Sequence, residues 1–111
     1  EIVTEESFSP VIPVQKVDSL DEAIKMSNAT KYGLGCTIFT RDIERAMNAA
    51  DKIKSGTVCI NSPLMENIAA PFGGMKQSGI GREHGIEALD EFREAKHIYI
   101  DYEHSKKSWW F

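Results

Sequence analysis

Three stretches of the chain place apolar residues at helical spacing, and four place them in the short runs or the alternation of strands. The first strand expectation covers Val11 to Val17, where Val11, Ile12, Val14 and Val17 favour extended backbone. Pro13 removes one donor there, which suits a strand start or an edge. Asp18 to Thr30 reads as a helix. Ser19 and Glu22 have capping-box spacing, and Leu20, Ala23, Ile24 and Ser27 form its inward stripe. Leu34 to Phe39 is a short apolar strand. Thr40 caps a second helix over Arg41 to Lys54, with Ile43, Ala46, Met47, Ala50 and Ile53 inward, and Ser55-Gly56 ends it. Thr57 to Ile60 is a strand. His84 to Arg93 is a third helix with Ile86, Leu89 and Phe92 inward. Ala95 to Tyr102 alternates as a final strand, with Ile98, Ile100 and Tyr102 on one face.

Strands alternating with helices predict an α/β fold with a mostly parallel sheet and flanking helices. So few strands would make a poor closed domain. Between the third strand and the third helix, Asn61 to Gly85 follows neither period. It holds five of the eight glycines and two of the four prolines. An irregular segment of this length is usually a functional loop or disordered. Leu64, Met65, Ile68, Ala69, Ala70, Phe72 and Met75 supply apolar surface that disordered segments lack, so an ordered loop pressed against a site is expected.

Charge and cysteine usage narrow the partners. A net charge of -4 argues against nucleic acid and against an anionic membrane surface. No apolar run reaches the roughly 20 residues that span a bilayer. The acidic start, Glu-Ile-Val-Thr-Glu-Glu, lacks the basic region of a signal peptide. Cys36 and Cys59 lie in apolar strands and read as reduced, buried thiols, which suits a cytoplasmic location. His84, His97 and His104 lack metal-ligand spacing, so no metal site is expected. Gly79-x-Gly81-x-x-x-Gly85 does not have dinucleotide-fingerprint spacing, and no strand enters it directly.

Pro71-Phe72-Gly73-Gly74-Met75-Lys76-Gln77-Ser78-Gly79-Ile80-Gly81-Arg82-Glu83-His84-Gly85 resembles the signature near the C-terminus of the NAD(P)-dependent aldehyde dehydrogenase superfamily. Every fixed position of P-F-G-G-x-K-x-S-G-x-G-R-E-x-G matches. The resemblance extends along the chain, but members are several-fold longer. It implies that residues 1–94 are the closing, C-terminal part of a catalytic domain. Residues 95–111 would then be an oligomerisation strand and tail, with Trp109, Trp110 and Phe111 adding apolar surface.

The resemblance also assigns roles. Asn61, directly after a strand, matches the Asn that lines the active site and supports catalysis; read without the resemblance, it is a turn residue. Glu6 and Phe8 match an E-x-F-G-P element. There the Glu hydrogen-bonds the nicotinamide ribose and the Phe packs near the nicotinamide. Ser9 stands in place of the usual Gly, a position that can demand a positive φ. Phe72 matches a substrate-tunnel residue. Glu66 and Asn67 lie in the segment where members vary their pockets; they contact a polar or hydroxylated aldehyde or face solvent. Arg82 and Glu83 tie down the loop. The G-Q-x-C nucleophile and the general-base context are both missing from this chain, so the chain alone is expected to be inactive. The resemblance thus implies part of an NAD- or NADP-dependent enzyme that oxidises a small aldehyde to a carboxylate, as a homodimer or homotetramer. The alternative is a non-catalytic oligomerisation or interaction module on the same fold.

Overall fold

The computed structural model describes residues 2–63 and 67–102. The first helix, α1, covers Leu20–Asn28. Ser19 caps it, its hydroxyl accepting the Glu22 N–H at 3.1 Å. The Glu22 carboxylate reaches back to accept the Asp18 N–H at 2.9 Å, so the capping pair forms with its return bond one residue early. The chain then enters β1 (Gly35–Ile38), α2 (Ile43–Lys52) and β2 (Thr57–Ile60). β1 and β2 pair in parallel, Gly35 beside Thr57 and Ile38 beside Ile60. This is a strand–helix–strand unit with α1 packed beside α2. The fold is a small α/β arrangement with a two-stranded parallel sheet and helices.

α2 starts two residues later than its apolar pattern suggested. Asp42, not Thr40, caps it, its carboxylate accepting the Arg45 N–H at 3.0 Å. Thr40 instead accepts the Asp42 N–H through its hydroxyl and shapes the turn before the cap. The buried side is also narrower than expected. Ala46 and Ala49 are 0% and 1% exposed, whereas Ile43 and Met47 lie open. Ile24 of α1 is the other buried apolar residue among those described. Ile43 and Met47 point where no described element of the chain covers them.

Three other expected elements differ. Residues 11–17 form no strand, and Val11, Ile12 and Val14 are exposed. Residues 95–102 form no strand either, with Ile98 and Ile100 exposed. In both cases β-propensity and alternation are present, but a strand is defined by a ladder partner, and among the described residues β1 and β2 pair only with each other. The third helix shrinks to α3, Glu87–Asp90. Positive φ at His84 (61°) and Gly85 (65°) blocks helix at its start. At its end, Phe92 and Arg93 bond back three residues rather than four, which tightens the last turn and stops it.

The core is correspondingly small. The Cα radius of gyration is 21.7 Å. A compact domain of this length would have about 13 Å. A two-stranded sheet does not close a core by itself.

Candidate functional site

Two asparagines fasten the strand–helix–strand unit at its opposite ends. At the carboxyl end, Asn61 follows β2 with a left-handed backbone (φ 57°), a conformation Asn tolerates. Its Oδ1 accepts the Thr40 N–H and its Nδ2 donates to the Thr40 carbonyl, both at 2.8 Å. The amide thereby locks the exit of β1 against the exit of β2. One N–H of Nδ2 stays available beyond that clamp. The side chain lines a shallow cleft of about 440 Å³ with Phe39, Thr40, Arg41 and Ile43. At the other end, Asn28 Nδ2 donates to the Lys52 carbonyl at 2.8 Å and its Oδ1 accepts the Lys54 N–H at 2.7 Å. The sequence places Asn28 in the last turn of the first helix and gives no sign of this clamp. Nothing local signals a bond that crosses 24 residues.

The signature loop is ordered around its own backbone. Phe72 and Glu83 exchange two antiparallel backbone bonds of 2.7 Å and close the loop between them. Arg82 Nη1 donates to the Gly74 and Gly81 carbonyls at 3.1 and 2.6 Å, so Arg82 does tie the loop down, and Glu83 does so through its backbone. A short 3-10 turn, Lys76–Ser78, carries the loop onto the turn between α1 and β1. Lys76 Nζ donates to the Thr30 carbonyl at 2.9 Å, and Ser78 Oγ accepts the Gly33 N–H at 2.8 Å. At Gly56 the loop comes so near that a Cβ would overlap the Gly73 carbonyl. Only glycine permits this contact.

Glu6 lines a cavity of about 590 Å³ built by that docking, with Tyr32, Gly33, Gln77 and Ser78 among its walls. Its neighbour Glu5 is paired with Lys31 at 2.6 Å, while the Glu6 carboxylate has no hydrogen-bond partner among the described residues. Phe8 is 92% exposed and itself holds the left-handed backbone (φ 47°). The positive φ therefore falls on Phe8 and not on Ser9. The Ser9 hydroxyl lies 2.9 Å from that of Ser7 across Phe8. A serine in the family's glycine position is thus accommodated without left-handed strain.

Phe72 and Asn67 meet in a third cavity, of about 710 Å³, against the face of the sheet that carries Thr37, Thr57 and Cys59. Asn67 Oδ1 accepts the Ala69 N–H at 3.0 Å and shapes the turn before Pro71. His84 lies on the far side, its ring centroid 6.2 Å from that of Phe72. Glu66 lies outside the described residues. The strand threonines and Cys59 were not expected here. The alternation of a four-residue strand shows two faces but not which one a distant loop will cover. Cys36 and Cys59 are both free, and the register sends their side chains to opposite faces. The reduced-thiol reading holds, but both are half-buried rather than buried. Burial, with Cys59 nearby as a smaller cause, raises the Cys36 pKa.

The sequence expectations therefore fall into three separate hollows around one sheet: Asn61 in the first, Glu6 in the second, Asn67 and Phe72 in the third. The aldehyde dehydrogenase family model matches residues 1–98, and the chain belongs to the aldehyde dehydrogenase family. The mitochondrial 10-formyltetrahydrofolate dehydrogenase of Mus musculus is 44% identical over 103 residues, which cover 91% of this chain and 11% of that protein. The NAD(P)+ aldehyde dehydrogenase 1 of Saccharomyces cerevisiae is 43% identical over 100 residues, 90% of this chain and 20% of that one. Among solved structures, the apo betaine aldehyde dehydrogenase of Staphylococcus aureus superposes with a TM-score of 0.87 at 43% identity, over 98% of this chain and 22% of its own. The NAD+ complex of an aldehyde dehydrogenase from Bacillus cereus gives 0.84 at 46% identity, over 89% and 20%. The chain thus spans between about a tenth and a fifth of the relatives it matches.

Proposed function

We propose that this chain is the cofactor- and pocket-lining part of an NAD(P)-dependent aldehyde dehydrogenase that converts an aldehyde to a carboxylate. The observation that carries the reading is the family match over residues 1–98, which contains an intact signature loop docked on the α1–β1 turn. In the proposed reaction, a cysteine thiolate outside this chain adds to the aldehyde carbon and forms a thiohemiacetal. A nicotinamide held at Glu6 and Phe8 would supply the acceptor for the hydride that leaves that carbon. Water then hydrolyses the resulting thioester to carboxylate and thiol.

The residues on hand fit the cofactor part of that role. Glu6 faces a cavity with both carboxylate oxygens uncommitted, and a ribose diol offers two O–H donors that match them. Phe8 presents a bare aromatic face two residues on, a surface on which a flat ring can rest. Asn61 acts from the strand ends, holding Thr40 and keeping one amide N–H free to donate to an oxygen. Asn67 and Phe72 belong to the pocket side of the loop.

The test is to purify the 111-residue chain and the full-length protein that carries it, and to follow the absorbance of reduced nicotinamide with NAD+ or NADP+ and simple aldehydes. The full-length protein should turn over and the chain alone should not. A full-length protein inert with both dinucleotides across a broad aldehyde panel would overturn the reading. It would leave the interaction module, which the exposed apolar segment 95–102 favours.

A further inference from the structure

Glu5 and Glu6 are adjacent carboxylates of the same type, yet they are in different situations. Both line the same cavity, but Glu5 is paired with Lys31 at 2.6 Å, while the Glu6 carboxylate is left unpaired. Lys31 belongs to the turn between α1 and β1, and that turn is held by the signature loop at every residue from 30 to 33 except Tyr32. Lys76 Nζ donates to the Thr30 carbonyl at 2.9 Å, the Gln77 N–H to the Lys31 carbonyl at 3.0 Å, and the Met75 N–H to the Gly33 carbonyl at 2.8 Å. Ser78 Oγ takes the Gly33 N–H at 2.8 Å. The Lys31 ammonium also sits 5.4 Å from the centroid of the Tyr32 ring, on the wall of the same cavity. A fixed backbone thus presents one cation to one of two neighbouring acids.

We propose that Lys31 is a positioning residue for Glu6: by pairing with Glu5 it anchors the acidic segment to the turn clamped by the signature loop and leaves Glu6 as the acid that meets the ribose. The inference rests on the reading of Glu6 as the ribose acceptor. Without the pair, both carboxylates on this cavity are open to the ribose and the nicotinamide is held less uniformly, which affects the hydride step before it affects dinucleotide affinity. The hydrogen bond to Glu5 raises the Lys31 pKa, so the ammonium is charged throughout the neutral range. Both partners are substantially exposed, so the pair adds little to folding stability, and a defect in rate will not be a defect in folding.

The experiment uses the full-length protein, NAD+ and a short aliphatic aldehyde, with single-turnover hydride transfer and dinucleotide affinity as readouts. Lys31→Met should slow hydride transfer about two- to fivefold, the scale of an exposed ion pair, with affinity for NAD+ nearly unchanged. Lys31→Arg should restore the rate, as should the exchange of Lys31→Glu with Glu5→Lys. Added salt should slow the wild type towards Lys31→Met and leave that variant unaffected. If Lys31→Met matches the wild type while Glu6→Gln is slow, the positioning role is wrong and the Glu6 assignment stands. If Lys31→Met is slow but neither Arg nor the charge exchange rescues it, the lysine is structural and the proposal fails. A Glu6→Gln protein with unchanged hydride transfer removes the ribose assignment and the proposal together.

Discussion

At the scale of the residue, Asn61 has two structural parts that can be tested separately from its proposed part in catalysis. It is a turn residue, with φ at 57°, and it is also the clamp that holds the end of β1 through Thr40. Three substitutions separate these parts in the full-length protein. Asn61→Gly keeps the left-handed backbone and removes the clamp, at a cost of about 1 kcal/mol from lost side-chain bonds. Asn61→Ala should cost about 1 kcal/mol more, because a Cβ without a compensating polar group sits badly in that region. Asn61→Asp keeps the acceptor for the Thr40 N–H but sets a carboxylate oxygen against the Thr40 carbonyl. All three should lower turnover, and denaturant unfolding should rank stability with Gly above Ala. Full turnover in Asn61→Gly would make the amide dispensable to catalysis. Cys36 offers a pH test. Its pKa lies above the ordinary value of 9.0, chiefly through burial. A raised folded-state pKa stabilises the fold below the unfolded value, and that contribution is lost as pH rises through the folded one. Alkylation of Cys36, followed by peptide mass spectrometry, should at pH 7 lag behind a free cysteine and catch up only in the alkaline range. Equal rates at pH 7 would refute the burial argument.

At the scale of the element, the helices were legible where they carried their own signals and illegible where they borrowed them. Ser19 and Glu22 mark the start of α1 within the sequence. The start of α2 was misplaced because Thr40 and Asp42 are both capping residues, and only the backbone path decided that Thr40 turns the chain and Asp42 caps it. The inward stripe of α2 was read too wide because periodicity reports which side is apolar, not how much of it a neighbour covers. The signature loop is an element in this sense too. It docks by close backbone approach, and Gly56 is where this matters most. Gly56→Ala in the full-length protein should push the loop away at Gly73 and cost about 1–3 kcal/mol, the range for overpacking a tight contact. The check is a denaturant midpoint combined with limited proteolysis at residues 73–82, which should become more rapid. Wild-type stability and protection would mean that the loop has room at Gly56.

At the scale of the whole molecule, most of the apolar surface that the sequence assigned to strands and stripes is uncovered. Ile12, Val14, Ile43, Met47, Phe92, Ile98 and Ile100 are all exposed, a pattern unlike a self-contained domain. The segment 95–102 is the proposed bridge between subunits, since its alternation calls for a ladder that β1 and β2 do not provide. Deleting the full-length protein from Lys96 onward should therefore reduce the mass measured by light scattering, from a dimer or tetramer to a smaller species. An unchanged mass across a range of concentrations would assign the subunit contact to another part of the protein.

The sequence by itself determined what is local or unmistakably patterned. This covers the α/β class from the alternation of periods, the existence of α1, α2, β1 and β2, the order of residues 67–85 of the loop, and the family from fifteen contiguous residues. Those properties depend on neighbours within a few positions, where propensity, capping and spacing act directly. Tertiary structure decided what depends on a partner far along the chain. It left residues 11–17 and 95–102 without a ladder. It chose Asn28 as a second clamp across 24 residues, and it separated Glu5 from Glu6 by placing Lys31 beside only one of them. Two adjacent glutamates are equivalent in sequence, and the field of a lysine 26 residues away makes them different.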